Sequence, residues 1–128
     1  MIGEKKKQVI FMGSDHAGFN AKSQLHKFLK EKGFDVSDLG CFSEDTCDYP
    51  DIAREVGEKI MEHPDAFGIL ICGSGVGVAM AANKIKGVRA AMANNLEIAE
   101  ISRRHNNANV LTMGGRTTDL AEMEKITM

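Results

Sequence analysis

Apolar positions along this chain follow two alternating rhythms. Short continuous runs, "VIFMGS" from Val9 to Ser14 and "FGILIC" from Phe67 to Cys72, read as strands buried on both faces. Elsewhere apolar residues recur at helical spacing. Ala21, Leu25, Phe28 and Leu29 share one face of a helix over residues 17–32, and Gly33 supplies a residue that tolerates a left-handed C-terminal turn. A second strand fits 34–39. Ile52, Val56, Ile60 and Met61 form the buried stripe of a second helix, which begins near Pro50 and ends near Pro64. After Cys72 come an alanine-rich helix over 77–84, a fourth strand in "GVRAAMA", and a helix over 96–104 carrying Ile98 and Ile101. A fifth strand in "NVLTMGG" and a last helix over 120–128 complete the order. Strands alternating with helices predict an α/β fold in which a five-stranded parallel sheet is covered on both faces, because each right-handed crossover lays its helix on the sheet.

At 128 residues the chain fits a single domain, 1–128, whose core needs neither metal nor disulfide. Lys+Arg 16 against Asp+Glu 18 gives a net charge of −2, so no basic footprint for nucleic acid exists and a charged ligand must be met by a local site. No apolar run approaches the roughly 18 residues of a membrane span, and "MIGEKKKQ" leads into a short strand without a signal-peptide core. No membrane association is expected, and the expected location is cytoplasmic. Cysteines 41, 47 and 72 contain no C-x-x-C pair, which argues against a disulfide framework and against a zinc site.

In a parallel sheet, ligands collect outside the carboxyl ends of the strands. That rule selects Ser14, Asp15 and His16, then Cys72 to Gly77, Met92 to Asn95, and Gly114 to Arg116. Successive N–H groups in the turn "GSGVG" suit an anion or a developing oxyanion. The turn lacks the x4-G-K-[ST] pattern of a P-loop and the G-x-G-x-x-G spacing of a dinucleotide site, and a plain strand-to-helix connection is its bland alternative. Asp38, near the end of the second strand, is the acid a dinucleotide-binding reading would need, but "GSDHAG" suits a sugar phosphate better than a pyrophosphate. Cys72, at a strand end before a helix, has a setting that favours a nucleophilic or basic thiolate; the alternative is a small buried hydrophobe. Cys41 and Cys47 lie in a polar loop and are read as non-catalytic, and His26 and His63 as solvated helix residues. His16 follows a strand directly. His105, at a helix end, is either a cation favourable to the helix dipole or a general acid.

Four segments, "GSDHAG", "DYPDIA", "ILICGSGVGVAMAANKIKGVRAA" and "SRRHNNANVLTMGGR", resemble in order and spacing the type B ribose-5-phosphate isomerases and the related galactose-6-phosphate isomerase subunits. The resemblance implies aldose–ketose isomerisation of a sugar phosphate, without metal or organic cofactor, on a Rossmann-like three-layer sandwich that forms a homodimer or a dimer of dimers. It implies Cys72 as the base that moves a proton from C2 to C1, His105 as the group that opens the furanose ring, and Ser74 as a proton carrier between the two oxygens. Asn106 would steady the substrate, Gly73, Gly75 and Gly77 would offer amides to the enediolate, Asp15 and Tyr49 would meet sugar hydroxyls or ring, and His16 and Arg116 would bind phosphate. Members of that family usually continue into a basic tail whose arginines clamp the phosphate, and this sequence ends at Met128. Weakened substrate affinity or lost turnover is expected unless Arg116, His16 or other basic groups compensate. The segment "MANN", Met92 to Asn95, also departs from the family pattern and bears on which sugar is used. The alternatives are therefore a galactose-6-phosphate isomerase subunit completed by a partner, or a sugar-phosphate-binding homologue with reduced turnover.

Overall fold

The computed structural model describes residues 8–40 and 48–127. Its elements follow in the order β1 (Val9–Ser14), α1 (Phe19–Glu31), β2 (Asp35–Asp38), α2 (Tyr49–Glu62), β3 (Phe67–Cys72), α3 (Val76–Ala82), β4 (Ala90–Met92), α4 (Leu96–Asn106), β5 (Val110–Gly114) and α5 (Leu120–Thr127). The strands form one sheet, β2-β1-β3-β5-β4, with every neighbouring pair parallel. The chain leaves β1 toward one edge and β3 toward the other, so the carboxyl ends of β1 and β3 flank the crevice where this topology seats ligands.

Alternate residues of the central strands feed two cores. Ile10, Met12, Ile69, Ile71, Leu111 and Met113 pack with Leu25 and Leu29 of α1, Ala99 of α4, and Met123 and Ile126 of α5. Phe11, Leu70, Cys72 and Val110 pack on the opposite side with Ala53, Val56 and Ile60 of α2 and Val78 and Ala82 of α3. Burying one such aliphatic side chain contributes about 1.5–3 kcal/mol, so the continuous apolar runs are what fix three layers instead of two. The expected three-layer α/β architecture is the one observed.

Element boundaries differ where polar side chains intervene. The helix expected from residue 17 is preceded by a 3-10 turn, His16–Gly18, because the Asp15 carboxylate accepts a hydrogen bond from the Gly18 amide at 3.0 Å. The strand expected over 87–93 shrinks to three residues: the Asn83 carboxamide donates to the Ala90 carbonyl at 2.9 Å and accepts from its amide at 2.8 Å, occupying the outer edge of β4. The α1 stripe includes a lysine. Lys22 is fully buried, its ammonium 2.8 and 2.9 Å from the two carboxylate oxygens of Asp38 at the end of β2. A buried charge is tolerable only when paired, and here the pair binds α1 to the outermost strand. Met61, expected in the α2 stripe, is 41% exposed, with Ala53 and Gly57 buried instead. Cys41 and Cys47 lie outside the described residues.

Candidate active site

The centre of the site is the turn that follows β3. Gly75 adopts a left-handed conformation, φ 87, which costs a residue with a Cβ about 1–2 kcal/mol, and a methyl group there would lie 2.9 Å from the Met113 carbonyl carbon. That bend aims the Gly75 amide back at Cys72, whose Sγ accepts its hydrogen bond at 3.1 Å. Cys72 itself is 5% exposed. The turn rests directly on the end of β5: a Cβ on Gly114 would fall 2.7 Å from the Ser74 Cα and carbonyl carbon. Main-chain bonds tie the two segments further, from the Gly115 amide to the Cys72 carbonyl (2.7 Å) and from the Arg116 amide to the Gly73 carbonyl (3.0 Å). At the end of β1, the Asp15 amide donates to the Ile71 carbonyl at 3.2 Å.

These ties line an open cavity of about 380 Å³ with Asp15, Tyr49, Cys72, Gly73, Ser74, Gly77, Arg116 and Thr117. Tyr49 projects from the first turn of α2 so that its ring lies 3.0 Å from where a Gly77 methyl group would stand, and the Arg116 side chain passes 3.6 Å from the corresponding position on Gly73. One wall is therefore a cysteine on a rigid strand, the floor is main chain, and the rim carries a carboxylate, a phenol, two hydroxyls and a guanidinium. The composition of this cavity suits a small polyol bearing an anionic group, with a thiol on one wall. Among the described residues, no group of three His, Cys, Asp or Glu side chains gathers as metal ligands.

Seven of the expected residues thus converge on one cavity, and Gly75 stands behind its wall with its amide engaged by sulfur instead of open to an oxyanion. Three others lie elsewhere. His16 is exposed in the 3-10 turn beside Asp15 and does not line the cavity. His105 is exposed in the last turn of α4, and Asn106 lines a separate cavity of about 450 Å³ with Asn83, Val88, Arg89, Ala90, Ala91 and Ala108. The reason is topological. α4 runs back from the carboxyl end of β4 to the start of β5, and Arg103 within its last turns sits 4.8 Å above the ring of Phe67, the first residue of β3. Cys72 lies five residues further along that strand, about 16 Å away. His105 and Cys72 therefore lie at opposite ends of the strands. The "MANN" segment also stays outside the cavity, where Asn94 accepts a 2.7 Å hydrogen bond from Thr118 and so braces the Gly114–Thr118 turn from behind.

Two contributors were not anticipated. Thr117 lines the cavity next to Arg116. Thr112, buried in β5, donates its hydroxyl to the Gly75 carbonyl at 2.8 Å. A hydroxyl interrupting the run "NVLTMGG" is the available signal, since a buried polar side chain demands a partner.

The family model described as Ribose/Galactose Isomerase matches residues 10–128. A probable ribose-5-phosphate isomerase B of Mycoplasma genitalium is 46% identical over 119 residues, covering 91% of this chain and 78% of that protein. Ribose-5-phosphate isomerase B of Escherichia coli is 41% identical over 111 residues, covering 87% and 74%. Among solved structures, the Mycoplasma genitalium enzyme with bound ribulose-5-phosphate superposes with a TM-score of 0.90 at 44% identity, covering 96% of this chain and 82% of the other. The Clostridium thermocellum ribose-5-phosphate isomerase B gives 0.91 at 41% identity, covering 94% and 81%.

Proposed function

We propose that this chain, which belongs to the ribose/galactose isomerase family, interconverts ribose 5-phosphate and ribulose 5-phosphate through an enediolate formed at Cys72. The observation that carries the reading is a nearly buried thiol whose sulfur accepts a main-chain hydrogen bond while facing a polyol-sized cavity. The Cys72 thiolate takes the proton from C2 of the open-chain aldose, the electron pair moves toward the carbonyl to give the enediolate, and the thiol returns the proton to C1. Ser74, exposed on the rim with its oxygen accepting from the Val76 amide at 3.2 Å, passes a proton between O1 and O2. Asp15 and Tyr49 hold sugar hydroxyls, Arg116 supplies positive charge for the phosphate with the exposed His16 imidazole beside Asp15 as a further hydrogen-bonding group, and the amides around Gly73 and Gly77 face the developing oxyanion. The expected cytoplasmic location keeps an unpaired Cys72 reduced.

In the same reading, ring opening by His105 with Asn106 beside it comes from a second copy of the chain, because neither residue reaches its own subunit's cavity. Apolar surface beside the cavity mouth supports such pairing. Tyr49, Val76 and Met80 are all exposed there, Met80 to 66%. A two-fold pair would exchange the same surfaces in both directions.

The direct test incubates the chain with ribose 5-phosphate and follows ketose formation, with Cys72→Ala as control. Turnover abolished by that substitution supports the reading. Turnover surviving it overturns Cys72 as base. Binding without turnover identifies a sugar-phosphate-binding homologue, and a preference for galactose 6-phosphate in a side-by-side assay identifies a hexose phosphate isomerase.

A further inference from the structure

Thr112 stands in the middle of β5, opposite Leu70 of β3 and Met92 of β4, with no exposed surface. Its hydroxyl crosses 37 positions of sequence to donate to the Gly75 carbonyl at 2.8 Å. Gly75 is thereby held at both ends. Its carbonyl, in the peptide that follows, is fixed by Thr112, and its amide, in the peptide that precedes, points at Cys72 Sγ at 3.1 Å. Between the two lies a left-handed glycine, the residue type with the widest conformational freedom and hence the one least able to hold such a direction alone. As the N-cap of α3, Gly75 also offers that carbonyl to the helix's first main-chain bond, and Thr112 adds a buried donor from β5 that ties the helix start to the sheet; without that tie the turn can shift on β5, and any rotation of Gly75 moves its N–H off the sulfur.

We propose that Thr112 is a positioning residue for Cys72: by tethering the Gly75 carbonyl it keeps the Gly75 amide on the sulfur and so holds that sulfur in the direction from which it abstracts the substrate proton. This rests on the reading of Cys72 as the base. The tether acts through the turn. Thr112 does not line the cavity.

The test compares Thr112→Val, which replaces the hydroxyl with a methyl group of similar shape, with Thr112→Ser, which keeps it. The rate of iodoacetamide alkylation is followed at Cys72 peptide by peptide, and kcat and KM are measured for ribose 5-phosphate. Loss of one neutral hydrogen bond is expected to slow Cys72 alkylation and kcat together by about fivefold in Thr112→Val, with KM within about twofold. Thr112→Ser restores both to within about twofold of the natural chain. The proposal is overturned if Thr112→Val lowers only the melting temperature while the folded protein keeps its alkylation rate and kcat, or if the serine variant is as slow as the valine variant. Should the valine variant not fold, Thr112→Ser against Thr112→Ala carries the same comparison, since the pair differs by the one hydroxyl. If Cys72→Ala retains isomerase activity, the reading of Cys72 as base fails, while the alkylation rates still decide whether Thr112 governs the sulfur.

Discussion

Two turns with a left-handed residue, one at the carboxyl ends of the strands and one at the amino ends, are built from different materials. At the carboxyl edge the residue is Gly75, buried, packed against the Met113 and Gly114 backbone and hydrogen-bonded to two uncharged side chains, the Cys72 sulfur and the Thr112 hydroxyl. At the amino edge the residue is Asn107, exposed, φ 51, and side chains hold it. Arg103 Nη1 donates to the Asn107 side-chain oxygen at 3.1 Å and to the Ala108 carbonyl at 2.6 Å, and Arg89 Nε donates to the Asn107 carbonyl at 2.7 Å. Each construction suits a different task. A turn made of glycines brings amides close to a reacting centre because nothing else stands in the way. A turn strapped by arginines leaves its own surface rigid and open, and His105 and Asn106 are presented on it facing away from the subunit's own cavity.

The largest expected effect tests whether the two edges serve one reaction. Cys72→Ala and His105→Ala should each lower kcat by about 10²–10⁴-fold. Mixed in equal amounts and allowed to exchange subunits, the two inactive proteins should recover about a quarter of the natural activity, because half of a two-fold population pairs one of each and each such pair has one complete site. A mixture as inactive as its parts would separate His105 from the Cys72 chemistry.

A smaller effect sharpens the claim about main-chain construction. Gly114→Ala sets a methyl group 2.7 Å from the Ser74 backbone, so the turn must shift. A loss of about 1–3 kcal/mol in urea denaturation is expected, with kcat falling by at least about tenfold in the folded protein. Unchanged kinetics would mean that the turn tolerates displacement and that its exact seat on β5 is immaterial. The smallest effect belongs to the other edge. Arg103→Met removes two hydrogen bonds and the contact with Phe67, which is expected to lower stability by about 1–2 kcal/mol. Its kcat should fall only severalfold while Cys72 alkylates at the natural rate; a change in that rate would show that the two edges are coupled within one subunit.

Much of this was legible in the sequence, for reasons that differ by residue. Strands β1, β3 and β5 are recognisable because burial on both faces keeps each run almost wholly apolar, with small hydroxyls at Ser14 and Thr112 as the exceptions, and Cys72, Ser74 and Asp15 follow from the rule that places ligands at carboxyl ends. The short β4 was overextended, because the groups that end it are the Asn83 amide and the Asn109 side chain, which accepts from the Arg89 amide at 2.7 Å. Such side-chain substitutes for strand pairing leave no trace in an apolar pattern. Lys22 is hidden inside an apolar helical stripe because its partner, Asp38, lies sixteen positions away at the end of β2. The separation of His105 from Cys72 was available in principle: a helix that leads into a parallel strand must end at that strand's beginning. Residue type drew attention to His105 where direction of travel would have located it.

The carboxamide of Asn83 has a consequence for how copies of this molecule can meet. By offering Ala90 a donor and an acceptor together, it imitates a neighbouring chain for one residue and occupies the flank where another β-segment would add. Continuous hydrogen-bonded extension of the sheet past β4 into a second molecule is thus blocked at that position.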